Sequence, residues 1–386
     1  MKTDYLNNAL RRYARNMGLV VGSLLISVVL LELIARAVLQ ASDLPLLEIQ
    51  DENNRVLHYS PNQAGTYRIR DEIEANYRIN SQGWNSGWGE YQKEKGPHEI
   101  RICVIGDSYI EALQVDYDKS VAEKLEEYLQ PLKASVYRFG LSGAALSHYL
   151  YVLRNEVLQY SPDIVIINLV HNDFLESIRA VTAGVYDTSL AKLRVEDGEI
   201  VGITSPQAYQ RSPSWWVKRS ALFRYFWVKH QVRPQALRQL WLALFDNGDQ
   251  EAQYSGNIRV STVYDPIVGR IIDYVFSELK GIELQTGAEI LLVLDADRSF
   301  IQGKGLEKGK VGSLAVLHSD IGKAAEQNGL DLIDLNLWFR HDYQENGIPF
   351  SFPHDGHWNQ YAHSLVAQIV GGHIHKEYLP ELGKSE

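Results

Sequence analysis

The chain has a single cysteine, Cys103, so no intramolecular disulfide can staple it and a buried core must hold it together. The lack of disulfides favours a reducing compartment, yet it leaves room for an extracytoplasmic domain large enough to bury a good core. Net positive charge is also missing. A formal charge of -10 argues against a general nucleic-acid binder. No internal repeat or low-complexity tract interrupts a globular composition, and 386 residues suffice for one large catalytic domain with appendages or for two small domains.

Two further absences are local. Met17 to Leu31 contains no charged residue, and the apolar run continues to Leu39 with only Glu32 and Arg36 interrupting it. As a helix, residues 17–39 would span about 34 Å, enough for a bilayer core of about 30 Å. Glu32 and Arg36 are four residues apart and can pair near one end. Lys2, Arg11, Arg12 and Arg15 lie upstream, which places residues 1–16 in the cytoplasm and everything after about residue 40 outside. A buried core helix is the bland alternative. Ala35-Arg36-Ala37 loosely fits a cleavage site, but the run is longer than a signal-peptide core, which favours a retained anchor.

The second local absence covers residues 201–245, which hold no Asp or Glu but carry Arg211, Lys218, Arg219, Arg224, Lys229, Arg233 and Arg238 among many aromatics. This stretch belongs to a segment, 174–261, that breaks the pattern around it and reads as a helical insertion or lid. It suits a membrane surface or an anionic polymer, and equally a cap whose aromatics pack on the sheet while its basic groups are solvated.

Residues 40–98 read as a stem or small β extension, broken by Pro45, Pro61, Gly65, Gly83, Gly87, Gly89 and Pro97, with Trp84 and Trp88 packing it onto the main domain. From Glu99 onward strands near 100–105, 134–139, 163–170, 288–294 and 330–335 alternate with helices near 118–130, 145–159, 265–286, 311–328 and 358–372. Continuous apolar strands alternating with amphipathic helices predict an α/β, flavodoxin-like three-layer sandwich with a five-stranded parallel sheet in the order 2-1-3-4-5.

The apolar strand Ile100–Ile105 stops at Gly106-Asp107-Ser108, placing a hydroxyl at a strand-to-helix turn, where open α/β sheets collect catalytic groups. Alone, Ser108 is as readily a helix N-cap. A serine becomes a nucleophile when a base takes its proton and a carboxylate holds that base. Asp355 and His357, in Pro353-His354-Asp355-Gly356-His357-Trp358-Asn359, can supply both roles from one loop. Asp334, at the end of the fifth strand, is the fallback carboxylate. Acyl transfer also needs donors aimed at the oxyanion, and the N–H of Ser108, the backbone at Gly143 and the amide of Asn172 qualify. Asp107 is expected to shape the turn. Asp107, His171, Asp173, Asp295 and Arg298 are candidate substrate contacts, with loop solvation as the plainer role for Asp295 and Arg298. A metal cluster of His354, Asp355 and His357 is conceivable but has no further ligand motif, so neither metal nor cofactor is expected.

The ordered set Gly106-Asp107-Ser108, Gly143, Asn172-Asp173 and Asp355/His357 resembles the four blocks of the SGNH (GDSL-type) hydrolases, over about residues 99 to 372. The resemblance implies Ser108 as nucleophile, His357 as base, Asp355 as its partner, and Gly143 and Asn172 as oxyanion donors. The blocks depart from the family pattern at Val170, where Gly is usual, at Arg138, where Asn is common, and at His354, where the last block often has its Asp. The block GDSYIEALQV, the tail DGHWN and Tyr77–Gly83 resemble membrane-anchored bacterial members, some of which act on O-acylated polysaccharides. On that basis residues 99–376 are a hydrolase-like domain and 377–386 a tail. The chain is then expected to be a membrane-anchored serine esterase or O-acyltransferase. Its substrate would be an acyl ester, acetyl foremost, carried by a polysaccharide or a lipid, with the membrane engaged through residues 17–39 and no nucleic acid. A lipase or phospholipase, and a catalytically idle glycan-binding or assembly protein, are the alternatives.

Overall fold

A computed structural model describes residues 2–48, 56–178, 189–209, 217–232, 266–302 and 311–378. The chain divides into two compact units, one of residues 1–43, 68–71 and 211–249, the other of 44–67, 72–210 and 250–386.

The first unit is dominated by α1 (Lys2–Val38). Its stretch from Arg11 to Val38 is long and apolar enough to cross a membrane, a test that a signal sequence also passes. The large apolar side chains from Met17 to Leu31 are exposed. The unit also holds a short helical turn, Ala221–Phe223, running into a π-helical Arg224–Lys229.

The second unit contains β1 (Ala64–Ile69, whose last two residues belong to the first unit), β2 (Ile73–Arg78), β3 (Ile100–Gly106), α2 (Ser108–Glu111), α3 (Val121–Tyr128), β4 (Ala134–Gly140), α4 (Leu146–Asn155), β5 (Ile164–Leu169) and α5 (Asp173–Glu176). It continues with β6 (Lys192–Glu196), β7 (Glu199–Thr204), α6 (Ile267–Thr286), β8 (Glu289–Leu294), α7 (Arg298–Ile301), α8 (Val311–Asn328), β9 (Asp331–Asp334), α9 (Leu335–Asn346) and α10 (Gln360–Glu377). The main sheet runs β4-β3-β5-β8-β9 with every pairing parallel, the expected 2-1-3-4-5 order.

The period-2 geometry of a strand sends alternate residues of β3 to opposite faces. Cys103 and Ile105 join a core built with α4, α6 and α8, including Leu150, Phe276 and Ile321. Ile102 and Val104 join the other core with α3, α9 and α10, including Leu125, Phe339 and Val370. Both faces of the sheet are therefore covered, which is why its strands read as unbroken apolar runs.

Of the expected stem, residues 44–67 and 72–98 belong to this second unit. Trp84 is buried edge-on to Phe139 at 5.3 Å, and Trp88 meets Tyr137 at 5.5 Å. Burying a large apolar side chain contributes about 1.5–3 kcal/mol, so Val56, Leu57, Tyr59, Tyr77, Trp84 and Tyr91 together make this segment a layer of the core.

Three expectations about secondary structure change. The insertion read as helical contains an antiparallel hairpin, β6–β7; residues 179–188, 210–216 and 233–265 of it lie outside the described residues. The helix expected over 145–159 stops at Asn155 and continues as a 3-10 turn, Val157–Tyr160, beyond Glu156. An unanticipated α9 follows β9 directly. Asp334 caps it, accepting from the N–H of Asn336, and Gly347 ends it at a φ of 65°.

Candidate active site

β3 delivers its last residues to the carboxyl edge of the sheet between β4 and β5, where the strand order reverses and ligands collect. The chain enters α2 there in a tight turn. Asp107 is buried and its Oδ1 accepts from the N–H of Tyr109 at 2.9 Å, the turn-shaping role expected of it. Ser108 is the first residue of α2, so its N–H belongs to the leading donors that no intrahelical carbonyl can satisfy. α2 lies directly on the end of β4. A Cβ at Gly140 would stand 2.0 Å from the backbone nitrogen of Glu111, so only glycine allows this approach.

His357, 249 residues away in sequence, reaches Ser108 with Nε2 at 2.7 Å from Oγ. Its Nδ1 is 2.5 Å from Asp355 Oδ1, which also accepts from the backbone N–H of His357 at 2.9 Å. Burial disfavours a charged His357, but the bond and charge of Asp355 outweigh it and raise the imidazole above its ordinary value of 6.5. Burial likewise works against an ionised Asp355, and the bond to His357 overcomes it, holding the carboxyl below its usual range. His354 points elsewhere, with Nδ1 2.9 Å from Glu72 Oε2, so it does not join Asp355 and His357 in one cluster.

The loop carrying His357 is held by a buried brace. Asp295 is fully buried and accepts from Trp358 Nε1 at 2.9 Å, from the N–H of Ala296 at 2.9 Å and from Arg298 at 3.0 Å. Arg298 also donates to the Gly356 carbonyl and to the Tyr109 hydroxyl, which itself donates to the Gly356 carbonyl at 3.0 Å. Read from the sequence as candidate substrate contacts, Asp295 and Arg298 are instead interior positioning groups joining the serine's helix to the histidine's loop. Arg298→Met should leave the Asp295 charge buried without its cation, and breaking a buried pair costs about 3–5 kcal/mol. The expected result is a lower denaturant midpoint at unchanged slope for the detergent-solubilised chain. The double variant Asp295→Leu/Arg298→Met should recover part of the loss.

The loops after β4 and β5 flank the serine turn. Gly143, at a φ of 78° in an exposed turn, follows Ser142. Ser142 is tied down by buried Glu111, which accepts from both its N–H (3.2 Å) and its hydroxyl, and also from the Tyr59 hydroxyl. The Glu111 carbonyl accepts from Asn85 Nδ2 at 2.8 Å. Sequence reading missed Glu111, Tyr59 and Asn85. The only local signal was an acidic residue on the apolar start of a helix. Glu111→Met would remove the acceptor shared by the Ser142 N–H, the Ser142 hydroxyl and the Tyr59 hydroxyl, and losing the partner of a buried polar group costs about 1–3 kcal/mol. A tenfold to hundredfold fall in kcat for p-nitrophenyl acetate is expected, roughly one decade per 1.4 kcal/mol. An unchanged kcat would show that this clasp does not position the Gly143 loop.

Asn172 Nδ2 donates to Glu176 Oε2 at 3.0 Å. An amide nitrogen carries two hydrogens, and this bond uses one. Asp173, a further candidate contact, is fully buried, accepting from the Val170 N–H at 2.8 Å and the Tyr149 hydroxyl at 3.0 Å. Burial raises both Asp107 and Asp173, and the charge of Asp107 raises Asp173 further. His171 faces a different group: its Nε2 is 2.9 Å from His318 Nε2, and His318 Nδ1 is 3.0 Å from Asp334 Oδ2. Burial, then the neighbouring His318, pushes His171 down to about 4. Asp334, the fallback carboxylate, is thus paired with His318, and the partner of His357 is Asp355.

Fold and site together define an α/β domain with a hydrogen-bonded Ser-His-Asp relay at the carboxyl edge of a parallel sheet. No family model matches the chain, and no curated protein does. Among solved structures, the chain is similar to the acetyl xylan esterase AlAXEase, with 14% identity, 71% of this chain and 100% of that chain covered, and a TM-score of 0.37. It is similar to LAE5, an α/β hydrolase enzyme from the metagenome of Lake Arreo, Spain, with 14% identity, coverage of 70% and 94%, and a TM-score of 0.38. It is also similar to the lipase/acylhydrolase from Enterococcus faecalis, with 13% identity, coverage of 71% and 95%, and a TM-score of 0.35.

Proposed function

We propose that the chain is a serine esterase or O-acyltransferase working through an acyl-enzyme, anchored by α1 with its catalytic domain outside the cytoplasm. The observation that carries the chemistry is the unbroken line from Ser108 Oγ to His357 Nε2 at 2.7 Å and from His357 Nδ1 to Asp355 at 2.5 Å. In this reading His357 takes the Ser108 proton as Oγ attacks the ester carbonyl. The oxyanion is met by the N–H groups of Ser108 and Gly143 and by the Asn172 amide. A well-placed donor of this kind is worth about 2.7–4 kcal/mol of transition-state stabilisation.

Collapse of the intermediate breaks the ester C–O bond, and the imidazolium returns its proton to the departing alcohol. Water, or an acceptor hydroxyl in the transferase case, then repeats the sequence on the acyl-serine. The resemblance of GDSYIEALQV and DGHWN to membrane-anchored bacterial proteins extends the reading to short acyl esters of a cell-envelope or exported polysaccharide, and the basic residues Lys2, Arg11, Arg12 and Arg15, ahead of the apolar run in α1, set the topology.

The test is labelling of the full-length protein with a fluorophosphonate probe followed by peptide mapping. An adduct on Ser108, together with turnover of p-nitrophenyl acetate in preference to long-chain esters, is the expected result. No adduct would overturn the enzymatic reading, and a preference for long acyl chains would replace the carbohydrate ester by a lipid.

A further inference from the structure

The first unit builds part of the basic aromatic insertion onto the end of α1. Glu32, immediately after the uncharged run Met17–Leu31, accepts from the Ser220 hydroxyl at 2.7 Å and from the N–H groups of Ala221 at 2.8 Å and Leu222 at 3.2 Å. Its carboxylate thereby caps the helical turn Ala221–Phe223. Arg36 pairs with Glu32 at 2.8 Å and donates to the Arg219 carbonyl at 3.0 Å. One turn further on, Arg224 donates to Asp43 at 2.5 Å and to the Ser42 carbonyl at 2.7 Å. The two charges that interrupt the apolar run are therefore a clasp for a distant segment.

That segment exposes Val217, Phe226, Trp227 and Val232 and carries Lys218, Arg219, Arg224 and Lys229 with no acidic residue. We propose that residues 217–232 form a collar lying in the headgroup region of the bilayer that α1 spans, with Phe226 and Trp227 at the acyl boundary and the lysines toward anionic lipid. This rests on the anchor part of the proposed function and not on the esterase chemistry.

Three observations favour a lipid surface over a soluble polyanion. Glu32 and Arg36 stand at one end of the apolar run, so a segment clasped to them meets the depth at which that run leaves the hydrocarbon. Exposed Phe and Trp among basic residues are the composition of interfacial elements. The segment and α1 also belong to one unit, and both carry exposed apolar side chains. The clasp bears on processing as well. Cleavage at Ala35-Arg36-Ala37 would remove Glu32, the acceptor of the Ala221 and Leu222 N–H groups, and with it the clasp, so the collar requires a retained anchor.

The test places single reporters on the full chain in vesicles of phosphatidylcholine and phosphatidylglycerol. Cys103 is buried and its thiol is raised by burial, so it stays unlabelled. Phe226→Cys, with Trp227→Cys as a second variant, is labelled with a bimane and quenched by iodide from water or by a spin-labelled lipid. Leu25→Cys reports the span, and Leu284→Cys a water-exposed helix. Positions 226 and 227 are expected to be quenched by the lipid and shielded from iodide, and Glu32→Gln should raise their iodide quenching severalfold while leaving Leu25→Cys embedded.

If 226 and 227 behave like Leu284→Cys while Leu25→Cys is embedded, the collar is wrong and the anchor stands. If Leu25→Cys is also open to iodide, the anchor fails and takes the collar with it. Shielding of 226 by soluble polygalacturonate without vesicles would overturn the lipid assignment in favour of a glycan.

Discussion

Ser108→Ala should lower turnover of p-nitrophenyl acetate by roughly four orders of magnitude or more, the loss typical when a nucleophile is removed from a working triad, and should abolish fluorophosphonate labelling. The variant deletes one oxygen at a half-buried position whose packing partners remain, so its thermal midpoint should stay close to that of the parent chain. That separation matters, because a substitution that unfolded the chain would also silence it. Residual hydrolysis should persist, since the proposed oxyanion donors at Gly143 and Asn172 are untouched. Undiminished labelling of a folded Ser108→Ala protein would remove Ser108 as nucleophile, whatever the geometry of His357.

Asp355→Asn is expected to cost about 10⁴-fold in kcat, because an amide can donate to Nδ1 and stabilise the wrong tautomer of the base. The pH profile carries the sharper information. His357 accepts a proton only when neutral, so kcat/KM rises with pH through the imidazole's pKa. In the parent chain burial lowers that pKa but Asp355 more than compensates, leaving it above 6.5. With Asp355 neutralised the raising influence is lost while burial stays, so the acid limb should move to lower pH. A limb that does not move would assign it to another group. Asp107 and Asp173 are the first to examine, since burial raises both.

The sheet was legible because its signal is local. Ile100–Ile105, 163–170 and 288–294 are apolar on both faces, and only strands covered by helices on both sides read that way. The serine turn was legible for a related reason. A strand that stops at Gly106-Asp107-Ser108 before a helical pattern announces its own carboxyl end. The hairpin β6–β7 does have a local signal, since Lys192-Leu193-Arg194-Val195-Glu196 alternates strictly and Asp197-Gly198, at φ of 49° and 83°, is a hairpin turn, although the segment around it reads as helical.

Roles of buried charged groups were the least legible. Asp295 and Arg298 sit at the active-site edge in the primary pattern, which suggested contact with a substrate, but their partners are Trp358, Tyr109 and the Gly356 carbonyl. Glu32 and Arg36 likewise read as a pair easing the passage of a helix through lipid. Their further partners, Ser220 and the Arg219 carbonyl, lie more than 180 positions away.

The amino-acid sequence by itself determined the five strands of the main sheet and their order, and it brought forward Ser108 and His357 as a candidate pair with Asp355 or Asp334 as the carboxylate. Periodicity, turn residues and loop position are properties of short stretches, and short stretches carry them. Only the tertiary structure decided which carboxylate holds His357, that Asp334 belongs to His318, that Glu111 ties Tyr59 to the Ser142 loop, and what Glu32 caps. Each of those is a choice among partners for a desolvated polar group, and the partner that satisfies it is the one folding brings within about 3 Å.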